Sequence, residues 1–267
     1  MSVQQRNNVH VGGSGAVTLV FGHGFGGSQA MWRYARAAFE DRYRTVVFDL
    51  VGSGHSDLNA YDRSKYATLD GYAADLLDIL REFADAPVVF LGHSVSAMIG
   101  LRAAIQAPER FAALVMVAPS PSFIDDGDYT GGFGRADIDE LLETLESNYF
   151  GWSNGIAPTI MGTPEQPELG DEMAASLCRV DPDIAKHFAR VVFLTDSRDR
   201  LGQLRVPTLV LQSSEDFLAP LAVGEYMQRA IPDCTLQVID NTGHCPHLSA
   251  PAACIGAITT YLHGRGL

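Results

Sequence analysis

The segment FLGHSVSAMIG, Phe90 to Gly100, decides how the rest of the chain is read. Its core, Gly92-His93-Ser94-Val95-Ser96, departs from G-x-S-x-G at one place: Ser96 stands where the second glycine would be. Before it, PVVFLG (Pro87–Gly92) reads as a short buried strand; after it, Val95–Ala107 reads as a helix. A serine on a sharp strand-to-helix turn is the setting of a nucleophile elbow. There the serine is held at positive φ, with its hydroxyl lifted above the sheet edge. The residues two places to either side crowd against it and must be small, as Gly92 and Ser96 are. A plain turn with Ser94 as helix N-cap fits the same five residues equally well.

Working outward, further short apolar runs have the continuous character of strands covered on both faces. They are AVTLVF (Ala16–Phe21), RTVVFD (Arg44–Asp49), ALVMVA (Ala113–Ala118), PTLVLQS (Pro207–Ser213) and TLQVI (Thr235–Ile239). Between the second of these and Pro87, residues Leu69, Tyr72, Ala73, Leu76, Leu80 and Phe83 form one helical stripe, predicting a helix over Leu69–Phe83. The alternation predicts an α/β fold with a mostly parallel central sheet and helices on both faces. After Ala118 it stops. From Pro119 to about Arg205 helical stripes dominate, one of them Ile138, Leu141, Leu142, Leu145 and Tyr149, another from Asp183 onward; ARVVFL (Ala189–Leu194) is ambiguous. An all-helical insertion between strands of a parallel sheet sits where a cap over an active site would.

A serine hydroxyl needs a base, and the base needs an orienting acid. On this kind of sheet the chain order is Ser, then Asp or Glu, then His, each after a later strand. LQSSEDFLAP follows the strand at Pro207 and offers Glu215 and Asp216; Asp216, nearer the exposed loop before Pro220, is preferred. IDNTGHCPHLS follows the last strand and offers His244 and His247. His244 is preferred because Gly243 lets a turn present it, while His247 begins the next helix. Each residue alone is commonplace; the three in this order are not.

An oxyanion hole would take the N–H that follows the nucleophile, on Val95, and one from the loop after an early strand. That loop is GHGFGG (Gly22–Gly27), and Phe25 is the expected second donor, with His23 and His93 as hydrogen-bonding supports. The loop also matches G-x-G-x-x-G, with Asp49 ending the next strand, as in a dinucleotide-binding turn. Against that reading, SQAMW delays the helix that should receive a pyrophosphate, and VHVGGSG looks like a hairpin feeding the first strand. HCPH (His244–His247) lacks the further ligands a zinc ion needs, so no metal is expected.

The chain has 267 residues, 46% hydrophobic and 19% charged, with a formal net charge of −13. Lacking a Lys/Arg cluster, it is not expected to bind nucleic acid or an anionic membrane. The four cysteines, widely spaced, read as reduced thiols. MSVQQRNNVHV has no apolar signal-peptide core, and no apolar run is long enough to span a bilayer, so a cytoplasmic location is expected.

Together these stretches resemble the α/β-hydrolase group that includes the bacterial stress-signalling protein RsbQ and the plant karrikin and strigolactone receptors. The resemblance runs over nearly the whole chain: GHGFG at Gly22, VGSGHSDLNAYDRSKYATLDGYA at Val51, GHSVSAMIG at Gly92, DYTGGF at Asp128, SNYFGW at Ser147 and GHCPHLS at Gly243. The Val51 stretch and GHCPHLS lean toward the bacterial proteins, whereas SVSAMIG is closer to the plant receptors. The resemblance implies a core of residues 1–120 and 202–267 and a four-helix, V-shaped lid over 121–201. It implies a Ser94, Asp216 and His244 triad, oxyanion donors on Phe25 and Val95, and no cofactor. By position it puts Phe25, Phe123, Phe133, Trp152, Phe193, Leu218 and Ala219 around a buried pocket. Position 123, often Tyr in such proteins, is Phe here. The implied substrate is a small hydrophobic ester or lactone, the implied partner a PAS-domain phosphatase or similar signalling protein, and the implied state a monomer.

Overall fold

A computed structural model describes residues 1–267. In chain order the elements are α1 (Val3–Arg6), β1 (His10–Gly12), β2 (Thr18–Gly22), α2 (Arg33–Phe39), β3 (Arg44–Val47), α3 (Leu69–Phe83), β4 (Val88–His93), α4 (Val95–Gln106) and β5 (Phe111–Val117). Four helices follow without a strand: α5 (Arg135–Ser147), α6 (Tyr149–Met161), α7 (Pro167–Arg179) and α8 (Pro182–Leu194). The chain then forms α9 (Arg198–Leu201), β6 (Thr208–Glu215), α10 (Leu221–Ala230), β7 (Cys234–Thr242), α11 (Pro246–Ser249) and α12 (Pro251–Gly264). The strands make one sheet in the order β1-β3-β2-β4-β5-β6-β7, parallel throughout except for β1. None of the helices is long and apolar enough to cross a membrane.

The continuous apolar runs are explained by the two faces of this sheet. Alternate residues of a strand point to opposite sides. Leu19, Phe21, Val89, Leu91, Val115, Leu209 and Leu211 pack with α2 and α12. Val20, Val46, Val88, Phe90, Leu114, Met116 and Val210 pack with α3, α4, α10 and the helical insertion. Along most of β2–β6 neither face meets solvent, so both alternate positions are apolar, whereas β7 at the edge is largely exposed.

Three expectations change. VHVGGSG is not a hairpin: β1 pairs antiparallel with β3, Val11 opposite Val46, at the sheet edge with β3 between it and β2. The stripe ending at Tyr149 belongs to two helices, because the Asn148 side chain accepts the Gly151 N–H at 3.0 Å and caps a new one. ARVVFL is the end of α8, and its β-branched pair, Val191 and Val192, is buried in that helix.

Candidate active site

The parallel strands all release their chains at one edge of the sheet, where ligands of open α/β sheets bind. There β4 turns into α4 through Ser94, at φ 53° and ψ −119°. Few residues other than glycine adopt positive φ, and the cost is held by the surroundings. Gly92 is required by close approach: a Cβ on it would lie 2.7 Å from the Ala97 nitrogen and the Ser96 carbonyl. Ser96 makes a contact of its own. Its fully buried hydroxyl donates to the His23 carbonyl at 2.5 Å, joining the first turn of α4 to the loop after β2.

The loop after β6 brings Asp216, and the loop after β7 brings His244. His244 Nδ1 donates to Asp216 Oδ2 at 2.7 Å, and Ser94 Oγ donates to His244 Nε2 at 2.8 Å. A carboxylate only accepts, which fixes the proton on Nδ1 and leaves Nε2 facing the serine. Asp216 is held in turn by the Leu218 N–H, at 2.8 Å to Oδ1. Glu215 is exposed at the end of β6, and its side chain accepts from Thr242. The carboxylate next in sequence is thus the one turned inward.

His23 pins the loop that carries Phe25. Its Nδ1–H donates to the Gly24 carbonyl at 2.8 Å, and its Nε2 accepts the Leu50 N–H at 2.9 Å. Burial holds its pKa below the ordinary histidine value, against the opposing charge of Asp49. His93 Nε2–H donates to the His244 carbonyl at 2.9 Å, and burial holds this ring neutral too. His247 lies in α11, away from Ser94, with its ring packed at a tilt between Trp32 and His93 at centroid distances of 4.6 and 4.4 Å. Neither of its nitrogens has a partner.

Ser94 and His244 open into a cavity lined mostly by apolar side chains. Its floor is Phe25, His93, Leu218 and Cys245, with Phe123 from the loop after β5. All four insertion helices contribute to the rest: Leu141 from α5; Trp152, Ile156 and Ile160 from α6; Met173 from α7; Val192 and Phe193 from α8. No Asp, Glu, Lys or Arg faces this space.

The alpha/beta hydrolase family model matches residues 19–257. This chain belongs to the α/β-hydrolase family. It is 37% identical over 262 residues to a Karrikin insensitive 2 receptor of Petunia hybrida, covering 98% of this chain and 97% of that one. It is 39% identical over 246 residues to a strigolactone esterase of Arabidopsis thaliana, covering 92% of each. Among solved structures, a hydrolase from Oleispira antarctica superposes with a TM-score of 0.95 at 38% identity, covering 98% of this chain and 96% of that one.

Of the pocket residues expected for this α/β-hydrolase, Phe25, Phe123, Trp152, Phe193 and Leu218 line the cavity, and two do not. The Phe133 ring instead packs edge-on to Phe217 at 5.4 Å. Ala219 is fully buried, its carbonyl taking a hydrogen bond from the Gln212 side chain. Leu141, Ile156, Ile160, Met173, Val192 and Cys245 were not anticipated; only Leu141 and Val192 fall in apolar stripes read from the sequence. The dinucleotide reading fails on Asp49. Its carboxylate is taken by the N–H groups of Gln29 and His55, at 2.8 and 2.9 Å, and by the Asn8 amide at 2.8 Å.

Proposed function

We propose that this α/β-hydrolase cleaves a small, uncharged, largely apolar ester or lactone through a serine-bound intermediate. The carrying observation is the hydrogen-bonded chain Ser94–His244–Asp216 at the floor of an apolar cavity. Ser94 Oγ attacks the substrate carbonyl while His244 Nε2 takes its proton, and Asp216 orients the imidazole and stabilises its charged form. The N–H groups of Phe25 and Val95 are the proposed donors to the tetrahedral oxyanion. The alcohol leaves with the proton from His244, and a water activated by the same ring releases the acid. A charged substrate would lose its hydration in this cavity without gaining a partner, which favours neutral ones. Residues 121–201 act as a lid over a core of 1–120 and 202–267 in this reading.

A second reading is favoured by the receptor among the relatives that match nearly the whole chain. Slow turnover would then serve sensing, with a PAS-domain signalling protein in the cytoplasm as the partner class. The catalytic claim is tested by incubation with a serine-directed fluorophosphonate and peptide mass spectrometry. We expect one adduct, on Ser94, and no hydrolysis of p-nitrophenyl butyrate by Ser94→Ala. A folded protein without the adduct, or an active Ser94→Ala, overturns it. In the second reading a lactone also raises Tm and alters protease cleavage within 121–201.

A further inference from the structure

The last turn of α6 meets the His244 loop backbone to backbone. Gly162 ends α6 in the left-handed conformation, at φ 65°, and a Cβ there would lie 2.8 Å from Gly243 Cα and N. Gly243 is also left-handed, at φ 104°, and a Cβ on it would collide with the Met161 carbonyl. With no side chain between them, the His244 N–H reaches the Ile160 carbonyl and donates to it at 2.7 Å. This satisfies one of the carbonyls that a helix leaves open at its C-terminus. On its other side the loop is tied to β6: the Gly243 N–H donates to the Glu215 carbonyl at 2.8 Å, and the Ser213 hydroxyl donates to the Gly243 carbonyl at 2.7 Å.

The same helix faces the cavity. Trp152, Ile156 and Ile160 recur every fourth residue, on one face of α6, and all three line it. Ile160 thus touches the substrate space with its side chain and holds the His244 backbone with its carbonyl.

We propose that Gly162 is a positioning residue for the His244 base. By letting α6 seat directly on Gly243, it fixes the backbone from which the imidazole reaches Ser94. A ligand that displaces α6 then displaces the base, so the fit of the substrate against Trp152, Ile156 and Ile160 is read out in the alignment of the catalytic groups. This rests on the hydrolase reading given above.

The test measures p-nitrophenyl butyrate hydrolysis by Gly162→Ala, Gly162→Asn and, as a control, Gly155→Ala. Gly155 is on the exposed side of α6, where a Cβ meets nothing within 4 Å. Misplacing a catalytic group by about 1 Å can cost about a hundredfold in rate. We expect kcat to fall at least about tenfold in both Gly162 variants, with KM changed less than about threefold. We expect no change in Gly155→Ala. Asn tolerates positive φ but carries a Cβ, so recovery of wild-type kcat in Gly162→Asn would reduce the effect to local strain and overturn the proposal. So would a folded Gly162→Ala with wild-type kcat. Should neither variant fold, hydrogen exchange on the wild-type protein decides. The His244 amide should exchange together with the last turn of α6, and exchange at the rate of an open loop refutes the contact. Failure of the hydrolase reading is recognised separately, by an active Ser94→Ala in the same assay.

Discussion

His247 offers a quantitative test of the buried histidine layer beneath the site. Its ring is 2% exposed, lies between Trp32 and His93, and has no partner on either nitrogen. Burial, with smaller effects from His244 and Arg33, lowers its pKa from 6.5 to about 3. A histidine whose folded pKa lies below its unfolded value binds fewer protons in the native state. Its contribution is therefore complete above about pH 6.5 and is lost as pH falls toward the folded value. At pH 5.5 the loss from this one ring is on the order of 1 kcal/mol, and at pH 7.5 it is negligible. At about 2.1 cal/mol/K of unfolding entropy per residue, a loss of that order corresponds to about 2 °C in Tm for a chain of this size. His247→Phe keeps a flat ring in the slot and removes the titration. Steric effects of the larger ring are the same at both pH values, and the pH-dependent contributions of His23 and His93 are present in both proteins, so both cancel in a double difference. Urea unfolding of both proteins at pH 7.5 and 5.5 should show the variant gaining about 1 kcal/mol on the wild type as pH falls. A gap independent of pH would mean that His247 charges freely in the folded protein, and the account of this layer would be wrong.

Three further substitutions address the site itself. Ser96→Ala strips the buried His23 carbonyl of its donor, so a stability loss of about 1–3 kcal/mol is expected, with kcat falling more than KM changes. Unchanged stability and unchanged kcat would show the bond from α4 to the His23 loop to be dispensable. Asp216→Asn should lower kcat by about 10³–10⁴ while leaving the fold intact, whereas Glu215→Gln should stay within about twofold. The reverse order, read from steady-state kinetics with p-nitrophenyl butyrate, would assign the acid to the neighbouring residue.

The parts of this protein that were legible in the sequence are those that local chemistry dictates. The Leu69–Phe83 helix was read to the residue because its single apolar stripe is a local signal, and the structure adds Thr68 as its N-cap. The order of the serine, the acid and the base was legible because each follows a strand whose apolar run announces it. The edge strand was misread because three residues, His10–Gly12, carry no signal of which neighbour they pair with. The break at Asn148 was hidden because the apolar spacing continues across it into Tyr149.

The cavity wall is a different problem, and Phe133 shows why. Its environment depends on which way the Ile124–Phe133 segment folds back, where the Phe133 N–H donates to the Phe123 carbonyl at 3.1 Å. That pairing keeps Phe123 at the cavity and turns the Phe133 ring toward Phe217, although both are apolar and close in sequence. Composition cannot distinguish the two; backbone pairing does. The same holds for Ser96, which a motif reading treats only as a residue small enough for the elbow. Its hydroxyl is at full burial, where an unpaired donor would cost about 1–3 kcal/mol, so it must find an acceptor, and the nearest is the carbonyl of His23. Departure from G-x-S-x-G thus adds a tether between the Ser94 turn and the Phe25 loop, the two segments that carry the proposed oxyanion donors.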